Sequence, residues 1–253
     1  MAKQKEKTVW FCNECGADSP KWVGRCPACG AWNTMVEERV APKSADSWSG
    51  SPRKGGIVQR TSPQRVSEIK AGDETRIHMP SEELNRVLGG GLVSGSMVLV
   101  GGEPGIGKST LVLQNILSIK SRRILYVSGE ESPQQIRMRA DRIGRLSDNC
   151  YIVTETSLEN IFEHIREIEP QLLIVDSIQT VASDALESAA GSVSQVRECA
   201  ARLLRYAKTE NVPVLLIGHI NKEGTLAGPK VLEHIVDAVL QFELSLIHIS
   251  EPT

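Results

Sequence analysis

Two groups of residues in this sequence have the types and spacing for chemistry. The first is Cys12-x-x-Cys15 and Cys26-x-x-Cys29, two pairs with ten residues between them, each followed by a glycine, Gly16 and Gly30. Four thiolates on two such knuckles suit the tetrahedral shell of a structural zinc, with Zn–S distances near ~2.3 Å. A shell closed by four sulfurs leaves no open position for catalysis. Two disulfides would use the same cysteines, but a chain with no secretory signal keeps its thiols reduced, and zinc is the expectation. The second group is Gly102-Glu103-Pro104-Gly105-Ile106-Gly107-Lys108-Ser109-Thr110. It follows an apolar run and precedes an apolar helical pattern from Leu111 to Ile119, the strand, loop and helix context that a Walker A phosphate loop needs. Glycines let the backbone wrap an anion, so that successive N–H groups and the helix amino terminus point at the phosphates of ATP. Lys108 then places its charge on the β- and γ-phosphates, and Ser109 its hydroxyl on Mg²⁺.

Three further segments supply what phosphoryl chemistry needs beyond a cradle. Leu172-Leu-Ile-Val-Asp176-Ser177 reads as a buried, mid-sheet strand ending in a carboxylate, which places Asp176 as the second Mg²⁺ ligand. Tyr126-Val-Ser-Gly129-Glu130-Glu131-Ser132 bends out of the sheet at Gly129 and leaves two carboxylates near the γ-phosphate. One carboxylate within reach of the attacking water is required, and Glu130 is expected to be that base. Glu131 is expected to cap or support the helix that starts near Pro133. Gly218-His219-Ile-Asn221-Lys222-Glu-Gly224 leaves the same sheet edge, so His219 is placed to sense the γ-phosphate.

These segments imply a scaffold. Apolar runs at Met97–Val100, Ile124–Val127, Tyr151–Val153, Leu172–Val175 and Val214–Ile217 alternate with helical patterns, the signature of an α/β fold, a mostly parallel sheet with helices on both faces. Length and composition agree: 253 residues, 40% hydrophobic and 24% charged, can bury one ordinary core plus an appendage. All four tryptophans lie in the first 48 residues with the cysteine pairs, so this segment is built on a different principle. Trp10, Trp22 and Trp32 are expected to pack around the knuckles, since some 30 residues do not form a core unaided. Stacking on nucleic acid beside Lys21 and Arg25 is the alternative. We expect a zinc module at 1–39, a Pro-, Ser- and Gly-rich linker at 40–60, an ATPase domain at 61–243 and an atypical tail at 244–253. Cys150 and Cys199 sit in apolar, periodic contexts and read as ordinary buried cysteines.

Net charge is −2, which excludes a strongly basic nucleic-acid binder, although residues 1–80 hold 13 Lys/Arg against 9 Asp/Glu. There is no apolar run of membrane-spanning length and no signal peptide, so a cytoplasmic location is expected.

The order of motifs, from Cys-x-x-Cys-Gly through Lys21-Trp22, Gly24-x-Cys26-Pro27-x-Cys29, Leu88-Gly-Gly-Gly-Leu92, the phosphate loop, Ser-Gly-Glu-Glu-Ser, Val-Asp-Ser-Ile-Gln179-Thr and His-x-x-Lys-Glu-Gly, resembles the bacterial RadA (Sms) ATPases of recombination and repair. The resemblance covers about Trp10 to Glu243. It implies a zinc finger joined to a RecA-like ATPase core, a homo-hexameric ring on single-stranded DNA and branched recombination intermediates, a RecA-type recombinase as partner, and ATP-driven branch migration or unwinding. By position it gives Lys108, Ser109, Glu130 and Asp176 the ATPase roles and makes His219 and Gln179 phosphate-sensing groups. RecA-like rings carry DNA on loops at this sheet edge, here 179–192 and 221–230, with Lys222 and Lys230 as the expected cations. The family continues into a Lys-Asn-Arg-Phe-Gly motif and a Lon-protease-like domain, neither of which this sequence contains. If that motif serves a neighbour's ATP, the chain as given binds nucleotide and hydrolyses it poorly. The alternative reading is a nucleotide-gated module with little turnover, docking a protein through its zinc finger.

Overall fold

The computed structural model describes residues 7–40, 65, 67, 76–219 and 232–243. The linker beyond Val40, the tail 244–253, and Lys222 and Lys230 lie outside them.

The amino-terminal part is a three-stranded antiparallel sheet in the order β2-β1-β3, with β1 at Lys7–Cys12, β2 at Asp18–Ser19 and β3 at Met35–Val40. Each cysteine pair closes a tight turn. Gly16 N–H donates to Cys12 O at 2.8 Å and Gly30 N–H to Cys26 O at 2.9 Å. Both glycines have left-handed φ, +71° and +76°, where a Cβ is strained. Cys12, Cys26 and Met35 are the buried residues of its core, with Trp10, Ala17 and Val23 packed against them. So small a core needs the free energy of a metal. The expected tryptophan packing holds for Trp10 alone of the three. Trp22 is 54% exposed and Trp32 69% exposed. There is too little apolar surface on two short turns to cover three indoles.

The larger part opens with a two-stranded pair, β4 (Arg76–Ile77) and β5 (Leu92–Val93), flanking α1 (Glu82–Val87). It continues as β6 (Met97–Gly102), α2 (Lys108–Ile116), β7 (Ile124–Ser128), α3 (Pro133–Ile143), β8 (Cys150–Thr154), α4 (Leu158–Ile168), β9 (Leu172–Asp176), a 3-10 turn (Ile178–Thr180), α5 (Val193–Glu210), β10 (Val214–His219) and β11 (Ala238–Phe242). Strands β6 to β11 form one parallel sheet in the order β11-β6-β10-β9-β7-β8. All five expected runs are strands. Because side chains alternate across a strand, Leu173 and Val175 of β9 join the core against α4 and α5, whereas Leu172 and Ile174 join the core against α2 and α3. That division produces helices on both faces. Strand β6 is followed in sequence by β7 but separated from it by β10 and β9. Such a break in strand order opens a crevice at the carboxyl ends of the strands, where α/β sheets bind ligands.

The first cysteine knuckle touches α5. Arg197 donates from Nη1 to the carbonyl of Gly16, and Val193 Cγ1 would stand 3.1 Å from a Cβ on Gly16.

Candidate nucleotide site and metal centre

The phosphate loop leaves β6 at Gly102 and enters α2 at Lys108. Gly105 and Gly107 have φ of +80° and +98°, and a Cβ on either would meet nothing within 4 Å. Their amides therefore border open space of the kind an anion fills, at the amino terminus of a nine-residue helix. Gly102 is constrained differently. A Cβ there would lie 2.5 Å from Phe242 O and 2.6 Å from Ile106 Cδ1, so the close approach of β11 requires glycine. Gly107 provides the helix start without a side-chain cap, leaving the first amides of α2 for a ligand.

Lys108 is 3% exposed and held by two loop carbonyls, with Nζ donating to Gly102 O at 2.9 Å and Glu103 O at 2.8 Å. Burial pulls its ammonium below the usual lysine range, opposed by the charges of Asp176 and Glu130. Nζ also lies 3.3 Å from His219 Nδ1, and His219 Nε2 lies 3.1 Å from Glu130 Oε1. With Lys108 charged, Nδ1 accepts and Nε2 carries the hydrogen that faces the carboxylate. A single imidazole thus bridges the phosphate-binding lysine and the expected base. Ser177 fixes Glu130 from the other side, donating from Oγ to Oε1 at 2.6 Å.

Asp176 ends β9 beside Ser128 of β7 and Ile217 of β10. It is 7% exposed and accepts a hydrogen bond from the hydroxyl of Tyr126 on Oδ2. Desolvation and the neighbouring carboxylate push the Tyr126 phenol far above its ordinary range, so it stays a donor at any physiological pH. Gln179, in the turn after β9, donates to His219 O at 3.3 Å, while its Oε1 is buried with no hydrogen-bond partner among the described residues. Gly129 is the residue that lets this turn approach. A Cβ there would fall 1.9 Å from Thr180 Oγ1.

Lys108, Glu130, Asp176, Gln179 and His219 therefore converge on one end of the sheet, around the open loop, with Ser109 and Thr110 in the first turn of α2. Of the two roles expected of Glu131, capping or supporting the helix, it takes the second. It pairs with Arg139, while Ser132 and Gln135 form a capping box at the start of α3. Sequence reasoning missed Ser177, Tyr126 and Arg139. Ser177 was visible as a hydroxyl beside the strand-end Asp176, and Tyr126 as the one polar side chain in the apolar run Ile124–Val127. Nothing local links Arg139 to Glu131. Of the loop 179–192, the part after Ala182 is knit to α5. Gln195, 1% exposed, donates to Ser183, Leu186 and Ser188 carbonyls at 3.1, 3.0 and 3.0 Å and accepts from Ser183 N–H at 2.8 Å.

The four cysteine sulfurs of the amino-terminal part all lie within 4.8 Å of one another, with Cys12–Cys29 at 3.7 Å and Cys15–Cys26 at 3.6 Å. A tetrahedron with ~2.3 Å bonds has edges of about 3.8 Å, so the donors fit zinc. The backbone N–H of Cys29 holds the Cys26 thiol down to about 6, whereas burial pushes the Cys15 thiol up to about 12. Cys150 and Cys199 stand apart, and burial pushes both thiols up to about 12, the behaviour of inert packing residues.

The AAA domain family profile matches residues 63–225 and the rubredoxin metal binding domain profile matches residues 10–37. The chain is 51% identical over 242 residues to the DNA repair protein RadA of Halalkalibacterium halodurans, covering 94% of this chain and 52% of that one. It is 50% identical over 245 residues to the RadA of Bacillus subtilis, covering 96% and 53%. It thus spans about half the length of these curated relatives. Among solved structures, a KaiC-like protein from Pyrococcus horikoshii superposes with a TM-score of 0.53 at 22% identity, over 69% of this chain and 83% of that one, which speaks to the fold alone. With a four-cysteine zinc ribbon, a phosphate loop and a strand-end aspartate in this order, the chain belongs to the AAA domain family and, within it, to the RadA sequences.

Proposed function

We propose that the chain is the ATPase and zinc-ribbon part of a recombinational DNA repair motor, which uses ATP hydrolysis to drive branch migration or unwinding on single-stranded DNA. The observation that carries the reading is the contact chain Lys108–His219–Glu130, in which the phosphate-binding lysine, a sensor and a base are joined at 3.3 Å and 3.1 Å. In this reading the amides of Gly105 to Lys108 and the Lys108 ammonium hold the β- and γ-phosphates. Ser109 and Asp176 would hold Mg²⁺, which when bound neutralises charge on the phosphate oxygens. Glu130, positioned by Ser177, orients the attacking water and takes its proton. His219 exchanges its hydrogen bond to Glu130 for one to the γ-phosphate, and the buried amide of Gln179 senses that change through the His219 carbonyl. Lys222 and Lys230, three and eleven positions beyond His219, then present their charges to the DNA backbone, several copies at once in a homo-hexameric ring. Branched intermediates and a RecA-type recombinase are the partners this role requires.

The test is steady-state ATPase activity with and without single-stranded DNA, on this chain and on one extended to the length of its relatives. Stimulation of the extended chain by DNA, lost in the double variant Lys222→Ala/Lys230→Ala with nucleotide binding intact, supports the reading. ATP binding with no DNA stimulation in either chain points instead to a nucleotide-gated docking module.

A further inference from the structure

The second cysteine knuckle carries two indoles with no core to bury them in. Trp22 is 54% and Trp32 69% exposed, and these are the two most exposed tryptophans among the described residues. Both belong to the same short loop. Trp32 forms a β-bridge with Arg25, and Asn33 N–H donates to Gly24 O at 2.9 Å. The Trp22 ring lies along Gly24, where a Cβ would stand 3.5 Å from Cη2. Arg25 sits between the two rings in sequence and over one of them in space, its guanidinium carbon 5.8 Å from the Trp32 ring centroid. Its Nε donates to Gly30 O at 3.1 Å, which holds the side chain across the knuckle. A Cβ at Gly30 would crowd that fork at 3.2 Å.

Charge decides what such a face recognises. From Ser19 to Thr34 the sequence holds Lys21 and Arg25 and no Asp or Glu. Both cations are exposed, whereas two of the four zinc-ligand cysteines, Cys12 and Cys26, are buried. Flat rings beside fixed cations, without a carboxylate, match unpaired bases on a phosphate backbone, since every base has a face to stack and every step carries a negative charge. An apolar protein partner would need aliphatic neighbours to complete a desolvated patch, and Pro20, Gly24, Pro27, Ala28 and Asn33 do not supply one.

We propose that the second zinc knuckle is a binding face for single-stranded nucleic acid, with Trp22 and Trp32 as stacking platforms and Lys21 and Arg25 as phosphate contacts. This adds to the DNA reading above a second contact that depends on zinc and not on nucleotide. The metal's task here is to hold the loop that presents the rings.

The experiment is anisotropy of fluorescein-labelled dT20 with the zinc-loaded full chain, measured without nucleotide and again with a non-hydrolysable ATP analogue. The nucleotide-free complex is expected to quench tryptophan emission, to disfavour a duplex of equal length, and to have a log–log salt slope of about −1.4 for two phosphate contacts on a single strand. Trp22→Ala/Trp32→Ala should weaken it at least tenfold, because each stacked base contributes about fivefold or more. Trp22→Phe/Trp32→Phe should stay within about threefold of the parent, and one zinc per chain in all variants shows that the knuckle is folded. No nucleotide-free binding by the parent, or unchanged affinity in the alanine pair, overturns the assignment. In the second case the exposed rings serve a protein. The increment produced by the ATP analogue reports on the ring loops alone, so its absence counts against the motor reading and leaves the zinc-face result standing.

Discussion

Replacing Gly129 by Ala is expected to destabilise the fold for a reason that can be located to one atom pair. The added methyl would stand 1.9 Å from Thr180 Oγ1 and 2.7 Å from Thr180 Cβ, distances that no rotamer of the methyl avoids. Thr180 is not free to retreat, because its hydroxyl donates to Ser177 O at 2.8 Å and it closes the turn after β9. Overpacking of this kind costs about 1–3 kcal/mol. For a domain of this size that is a fall in Tm of roughly 3–10 °C, read by thermal unfolding of the zinc-loaded protein without nucleotide. The partner variant Thr180→Gly removes both offending atoms and leaves Thr156 Cγ2 at 3.5 Å, an ordinary contact, as the nearest neighbour. Thr180→Gly alone loses a hydrogen bond and adds backbone entropy to the unfolded chain. The double variant should nevertheless be more stable than the sum of the two singles, by about 1–2 kcal/mol. A Gly129→Ala protein that melts with the parent, or strict additivity in the cycle, would refute the claim that the glycine is there to admit Thr180.

Three more outcomes follow from named contacts. Tyr126→Phe removes the donor to a buried carboxylate oxygen of Asp176, so it should lower stability by about 1–3 kcal/mol and weaken magnesium-dependent ATP binding more than magnesium-free binding, as calorimetry would show. Cys26→Ser should release zinc yet leave the AAA core folded, with a loss of core stability no larger than that of Arg197→Ala, about 1 kcal/mol, because among the described residues the two parts meet through the Arg197–Gly16 hydrogen bond. Cooperative loss of the whole fold on chelation would contradict this. The N–H of Ser157 holds the Glu155 carboxyl below the usual carboxylate range, with Asn160 and Thr156 adding to it. Its contribution is therefore complete above the unfolded value near ~4.3 and vanishes as pH falls through the lower folded value, so the Tm deficit of Glu155→Gln should shrink below about pH 4. A deficit independent of pH would show that the carboxylate's charge is not what matters.

The parallel sheet was legible because its strands are buried on both faces and read as unbroken apolar runs, Leu172 to Val175 above all. The phosphate loop was legible because glycine spacing there is dictated by backbone geometry. What stayed hidden depends on contacts between residues distant in sequence. Arg139 reaches Glu131 from a full two turns along α3, and Ser177 reaches Glu130 between the ends of neighbouring strands β9 and β7, neither of which any local pattern encodes. Gly129 was legible as a glycine at a strand end, but its cause, the approach of Thr180, belongs to tertiary packing. Trp22 and Trp32 were misjudged because an indole near a metal knuckle reads as core until the area available to cover it is known. The junction between Gly16 and α5 was equally out of reach, since a carbonyl acceptor carries no sequence signal.

In the proposed mechanism Glu130 is the base of an ATPase whose cradle is Lys108 and its loop. The decisive measurement is single-turnover hydrolysis together with ATP-analogue binding for Glu130→Gln and Lys108→Ala, made on a chain extended to the length of its relatives and saturated with single-stranded DNA. Glu130→Gln is expected to keep analogue affinity within about threefold while losing turnover by about 10²–10⁴, since it removes the proton acceptor and leaves the phosphate contacts in place. Lys108→Ala should lose both. Turnover by Glu130→Gln at the parent's rate would contradict the account and move the base to another carboxylate, with Glu131 the nearest in sequence.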